Sequence, residues 1–164
     1  MAINNYLTPT SFSVIIDRLP NVEFFTQKVN IPSLAAGSVQ QLTPLNPIYH
    51  PKTELAYADL DVTFIVDEKM LNYKEIYYWI VQNSSPETTD NYKEAEARSD
   101  VSVIINNSHR NANQKFTFKD CFPTDLSPLS LDITGTDIIY PEVTATFRYT
   151  TFDIEDVSGY NTTG

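Results

Sequence analysis

The stretch DLDVTFIVDEKMLNYKEIYYWI, residues 59–80, changes its hydrophobic period part-way along. Leu60, Val62, Phe64 and Val66 alternate with Asp59, Asp61 and Thr63. A period of two puts the first set on a buried face and the second on a polar one, so residues 57–66 are predicted to form a half-buried strand. The apolar residues then recur as Tyr73, Ile76, Tyr77 and Ile80, with Trp79 beside them. That is the spacing of one helical face, and it predicts an α-helix over about residues 72–82. Asn72 suits the N-cap, Glu75 stands three residues on as a capping-box partner, and Leu71 and Ile76 have the spacing of a hydrophobic staple. Asp67 and Glu68 precede the helix start, where its dipole favours negative charge. The acidic junction therefore has an architectural reading, set against a metal or acid–base one. His50 and His109 lie far apart, and a metal site needs several ligands at a proper spacing.

Most other segments read as strands. Residues 11–17 alternate, and Leu19-Pro20-Asn21 signals a turn. Residues 22–31 read as a second strand, making a hairpin with the first. Pro44, Pro47 and Pro51 keep residues 34–52 out of a central strand, because proline cannot donate to a ladder. That stretch is an edge strand, an arm or a long loop, with 39–45 the best strand within it. Residues 83–100 read as a solvated loop, with a short helix around Lys93 to Arg98. Strands are predicted at 101–107 and 115–123, joined by a polar tip at 108–114. A short strand is expected around Leu129 to Ile133. The last segment, Val143 to Ile154, alternates Val143, Ala145, Phe147 and Tyr149 with Thr144, Thr146, Arg148 and Thr150, and reads as one long strand. The pattern predicts a mainly β fold, a small sandwich or barrel with one helix on its flank. A chain of 164 residues fits a single domain, 1–164, with a core of about 11–155 and short extensions.

Composition narrows the function. Four glycines and no GxGxxG or GxxxxGK[ST] leave no phosphate-cradling loop. No GxSxG elbow occurs. The single cysteine, Cys121, excludes an intrachain disulfide and reads as a small buried hydrophobe. No apolar run reaches the roughly 18 residues of a membrane-spanning helix, and the N-terminus lacks the pattern of a signal peptide. These readings point to no enzyme, no cofactor, no metal, no small-molecule ligand and no membrane. Net charge is −10, and from Asp120 onward eight acids face one base, Arg148. A protein that grips nucleic acid needs the opposite sign, because affinity comes from neutralising phosphates.

The ordered segments FSVIID, FFTQKVNIPSLAAGSV, DLDVTFIVDEKMLNYKEIYYWI, FKDCFPTDLSPLSLD and VTATFRYTTFDI resemble the tail tube protein family of T4-type contractile-tailed bacteriophages. The shared features are Lys28 to Pro32, the acidic pair Asp67 and Glu68 before a helix with Trp79, the turn Phe122 to Thr124 before Leu129 to Asp132, and the closing strand. The resemblance spans roughly residues 11–155 and extends to baseplate proteins built on the same domain. It implies a virion structural protein, assembled in the host cytoplasm. Its homo-hexameric rings would stack into the inner tube of the tail, with sheath and baseplate proteins as partners. Genomic DNA would pass through the channel without specific binding. Asp59 and Asp61, on the polar face of the 57–66 strand, are the residues expected to face that lumen. The alternatives are a baseplate, tube-initiator or hub-adaptor subunit of the same fold and, from another class, an enzyme or a carbohydrate-binding sandwich.

Overall fold

The structure is a computed structural model, and it describes residues 6, 7, 9–84 and 97–157. Strands β1 (Phe12–Ile16), β2 (Thr26–Asn30), β5 (Leu60–Ile65), β6 (Ser99–Asn106), β7 (Ala112–Leu126), β8 (Glu142–Arg148) and β9 (Thr151–Asp156) form one antiparallel sheet of seven strands. The order is β1-β6-β7-β8-β5-β2, with β9 also paired to β7. Two further strands, β3 (Leu34–Gln41) and β4 (Ile48–Tyr57), pair only with each other. The helices are α1 (Pro20–Phe24) and α2 (Leu71–Ser84). The mainly β reading with a flanking helix holds; the predicted helix at 72–82 is α2, slightly extended.

The sheet bends because β7 is long enough to serve both halves. Its first part pairs with β6 and β9, and its last part, from Phe122, pairs with β8. At the switch Asp120 has φ 56°, and its N–H donates to Asp100 Oδ1 at 3.1 Å. A non-glycine residue there, together with the bulge at Pro123/Asp125, turns the strand sharply. Apolar side chains of both halves meet between them. Val14, Ile16, Val101, Val103 and Phe118 from one half bury against Leu60, Val62, Phe64, Val143, Ala145 and Phe147 of the other.

Several segments differ from expectation. Residues 22–31 are not a single strand. Pro20 starts helix α1, since its fixed φ and missing N–H suit a first helical turn, and β2 begins only at Thr26, whose hydroxyl donates to Val22 O at 2.8 Å. The turn of α1 separates β1 from β2. They form no hairpin; β1 pairs with β6 and β2 with β5. Residues 143–154 are two strands, broken where Thr150 N–H donates to Lys119 O at 3.0 Å. Residues 129–133 form no strand, and Leu131 and Ile133 lie exposed. Their alternation does not coincide with burial. The proline-rich stretch is an arm: β3 and β4 form a two-stranded hairpin whose residues are exposed almost throughout. The predicted helix around Lys93 to Arg98 falls mostly outside the described residues.

The strand-to-helix junction is also built differently. The first helical bond runs from Lys74 N–H to Met70 O at 3.0 Å, so Met70, with φ 56°, holds the cap position rather than Asn72. Leu71 is then the first residue of the helix, and it is exposed; it is not a staple. No acid lies in the first turn of α2. Glu75 accepts a hydrogen bond from Asn21 of α1 instead of closing a capping box. Asn72 is fully buried. Its Oδ1 accepts from Asp67 N–H at 3.2 Å and Tyr73 N–H at 2.8 Å, and its Nδ2 donates to Ile65 O at 2.8 Å. One amide thus ties the end of β5 to the start of α2. An exposed cap would be worth about 1 kcal/mol. Asn72→Ala is expected to cost on the order of 3 kcal/mol, because it leaves buried backbone groups unpaired; urea denaturation of the variant checks this.

Cys121 is buried, as its sequence reading expects, and its Sγ donates to Phe118 O at 3.4 Å. Burial pushes the thiol up to about 12. The native thiol should therefore resist alkylation at pH 8 and react once the chain is unfolded. An unfolded thiol loses its proton near 8.5, so above that pH the native state binds more protons than the unfolded one. Stability from this group is complete below about pH 8.5 and is lost as pH rises toward 12. Tyr149, also raised to about 12, first by burial and then by Asp59, acts in the same direction. Thermal melts should fall steadily from pH 9 to pH 11.

Candidate functional site

The half-sheet β2-β5-β8-β7 has one face in the core and one facing outward. Register identifies the outward set. Asp61 lies opposite Thr146 and Asn30, Thr63 opposite Thr144 and Lys28, and Arg148 opposite Phe122. Asp125 joins the same face opposite Thr146, and Glu142 joins it opposite Ile65. Asp59 precedes β5, one residue before its first position.

The two aspartates singled out by alternation do lie on this face, and each has a cross-strand partner. Arg148 Nε donates to Asp59 Oδ1 at 2.9 Å in a largely exposed ion pair. The carboxylate holds the guanidinium further toward its charged form, by the hydrogen bond first and the charge second. Thr146 Oγ1 donates to Asp61 Oδ1 at 2.8 Å. The hydroxyls of Thr63 and Thr144 bond each other at 2.9 Å. With Asp125 and Glu142 the face carries four acids against Lys28 and Arg148, so its balance is negative. Alternation alone misses Asp125 and Lys28, because the bulges at Pro123/Asp125 and Thr26/Lys28 shift the period there.

Both lateral edges of this half-sheet are open among the described residues. β2 pairs only with β5. At the other side, the pairing of β6 with β7 ends at Cys121, so residues 122–126 have β8 on one side and no strand on the other. Open edges carry unpaired N–H and C=O groups and are a template for pairing with another chain.

The two ends of the half-sheet are apolar. The β3–β4 arm leaves after β2 and returns before β5, at the Leu60 end. Its base is held by Ala58 N–H donating to Ser33 O at 3.1 Å and by the Tyr149 hydroxyl donating to Ala58 O at 2.8 Å. The opposite end, where Ile65 pairs with Glu142, holds the exposed 127–141 loop and a groove of about 670 Å³ between that loop and the strand-to-helix junction. Asp67 and Glu68 are among the residues that line the groove. Among the described residues no three His, Cys, Asp or Glu side chains gather as a metal site.

A profile of the family described as phage tail tube protein matches residues 5–155. The tail tube terminator protein of Enterobacteria phage T4 is 27% identical over 160 residues, covering 93% of this chain and 91% of its own. Among solved structures, the tube-terminating cap of the anti-feeding prophage superposes with a TM-score of 0.70 at 15% identity, covering 95% of each chain. The sheath/tube terminator of the extracellular contractile injection system PVC, in its extended state, also gives 0.70 at 15% identity, covering 94% of this chain and 99% of its own. The anti-feeding prophage baseplate gives 0.67 at 13% identity, covering 95% and 99%. At these identities the structures bear on the fold alone.

Proposed function

This chain belongs to the phage tail tube protein family, and from that premise we propose that it forms homo-hexameric rings in a contractile tail, with the β2-β5-β8-β7 half-sheet lining a channel for DNA. Its role is structural and tube-related, not enzymatic. The observation that carries the proposal is the half-sheet itself: an acid-rich polar outer face with two open edges. Pairing β2 of one copy beside residues 122–126 of the next would satisfy both edges. It is a heterologous contact, which closes into a ring when the rotation permits. Asp59, Asp61 and Asp125 would then face the lumen. A negative wall lets a polyanion slide without the counterion release that drives binding. Sheath and baseplate proteins are the partners such a ring implies, and assembly in the host cytoplasm precedes its place in the virion.

The relative from phage T4 favours a second reading, in which the ring caps the tube rather than building its length. A baseplate or initiator ring is the remaining option. Light scattering of the purified chain over a range of concentrations tests ring formation: a discrete oligomer about six times the monomer mass is expected, and a monomer at every concentration would remove the proposal. Gold labelling of a tagged chain in intact particles separates the readings. Label along the tail marks a tube subunit, and label at one end marks a terminator or an initiator.

A further inference from the structure

Each open edge of the half-sheet carries a single charge, and the two are of opposite sign. β2 reads TQKVN, with Lys28 as its one ionisable residue. Residues 122–126 read FPTDL, with Asp125 as theirs. Both side chains are exposed. Both stand on the outward face, because directly opposed residues share a face and their partners, Thr63 and Thr146, alternate with the buried residues of β5 and β8. Among the described residues neither has a side-chain hydrogen bond or ion pair, whereas the face's other base, Arg148, is held by Asp59.

Direction and register bring the two charges together in a ring. The three pairings of the half-sheet are antiparallel, so β2 and residues 122–126 run in opposite senses. A neighbour in the same orientation therefore continues the sheet with one more antiparallel pair. Asn30, Asp61, Thr146 and Asp125 form one row across the copy, and Lys28, Thr63 and Thr144 form the next. A joint that continues these rows sets Asp125 opposite the neighbour's Asn30 and one diagonal step, about 7–8 Å, from its Lys28. A long side chain spans that diagonal, and a stagger of two residues sets the pair directly opposite.

We infer that Lys28 of one copy pairs with Asp125 of the next, and that this ion pair selects the register in which the ring edges join. A slip of two residues keeps every side chain on its own face, so the apolar pattern does not exclude it. One pair of opposite charges does, because a slipped joint separates them. The pair also bears on the wall. With Lys28 held across each joint and Arg148 held within each copy, this face offers phosphate no unpaired cation. The inference rests on the edge-to-edge ring reading, and its test separates the two.

Lys28→Glu and Asp125→Lys are made in separate full-length chains whose circular dichroism matches wild type. At low salt neither chain alone should form rings at a concentration where wild type does, since every joint then opposes like charges. An equimolar mixture should form them, because alternating copies restore opposite charges at every joint. Light scattering reads the assembly, and native mass spectrometry counts equal numbers of the two chains. A milder variant, Lys28→Gln, should raise the concentration of half-assembly severalfold at low salt and leave it unchanged at high salt, where the pair is screened. Rings from either charge-reversed chain alone at the wild-type concentration overturn the inference and leave the ring reading standing. So does a mixture that stays monomeric while wild type assembles, or a Lys28→Gln chain that assembles as wild type does at low salt. A wild-type chain that never assembles removes both.

Discussion

Trp79→Ala is expected to destabilise the fold by roughly 3–5 kcal/mol, the range for a fully buried large aromatic. Trp79 is 1% exposed on the inner face of α2. Its ring packs against Phe147 of β8 at 6.1 Å between centroids, and Arg18 stacks over it at 5.0 Å. Its Nε1–H donates to Ala97 O at 2.9 Å, just before β6. The substitution therefore opens a cavity between helix and sheet and leaves the Ala97 carbonyl with only its second donor, Asn83 Nδ2 at 3.1 Å. Loss on this scale approaches the whole stability of a small domain, so the variant should be largely unfolded at physiological temperature. Urea denaturation measures it, and Trp79→Phe, which keeps an aromatic ring but loses the hydrogen bond and part of the packed volume, should cost less than Trp79→Ala. A Trp79→Ala midpoint within error of wild type would mean that the helix does not depend on this contact.

If the half-sheet lines a DNA channel as proposed, replacing both Asp59 and Asp61 with Lys is expected to turn a channel that releases DNA into one that holds it. The outward face then changes from four acids and two bases to two acids and four bases. Added cations on a wall that meets phosphates gain affinity by counterion release, and the effect should fall steeply with salt. The monomer should stay folded, since both residues lie outside the core: losing the exposed Asp59–Arg148 pair costs little, and losing the half-buried Thr146–Asp61 bond costs about 1 kcal/mol. Labelled double-stranded DNA should be retained by assembled variant protein at low salt and released at high salt, while wild type retains none. Particles carrying the variant should eject DNA more slowly. Unchanged retention and ejection would remove the lumen assignment of these residues without touching the family.

What the sequence made legible follows its physics. β5 and α2 were readable because each presents a single buried face, so the hydrophobic period and the burial coincide. Asp59 and Asp61 were placed on the polar face by the same alternation. The apolar helix face was right for Ile76 but put Tyr77 inward, whereas Tyr77 is exposed and the more deeply buried residue is Trp79. Residues 22–25 were misread because a short apolar run does not distinguish a helical turn from a strand, and Pro20 decides it. The division of 143–154 into two strands depends on which half of β7 each part meets. That is a long-range choice, and nothing local announces it. Asn72 was recognised as a helix-start residue, but its bonds reach back to Ile65 and Asp67, which cap spacing does not show. The arm's prolines marked irregularity without saying that two strands would pair away from the body. The open edges and the groove exist only in three dimensions.

A six-fold reconstruction of the assembled protein by electron cryo-microscopy would show which face lines the channel. The expected result is a ring in which the β2-β5-β8-β7 half-sheets stand side by side around the channel, with β2 next to residues 122–126 of the neighbour and Asp59, Asp61 and Asp125 at the inner wall. A ring whose channel is lined by other elements, with this polar face turned outward, would contradict it.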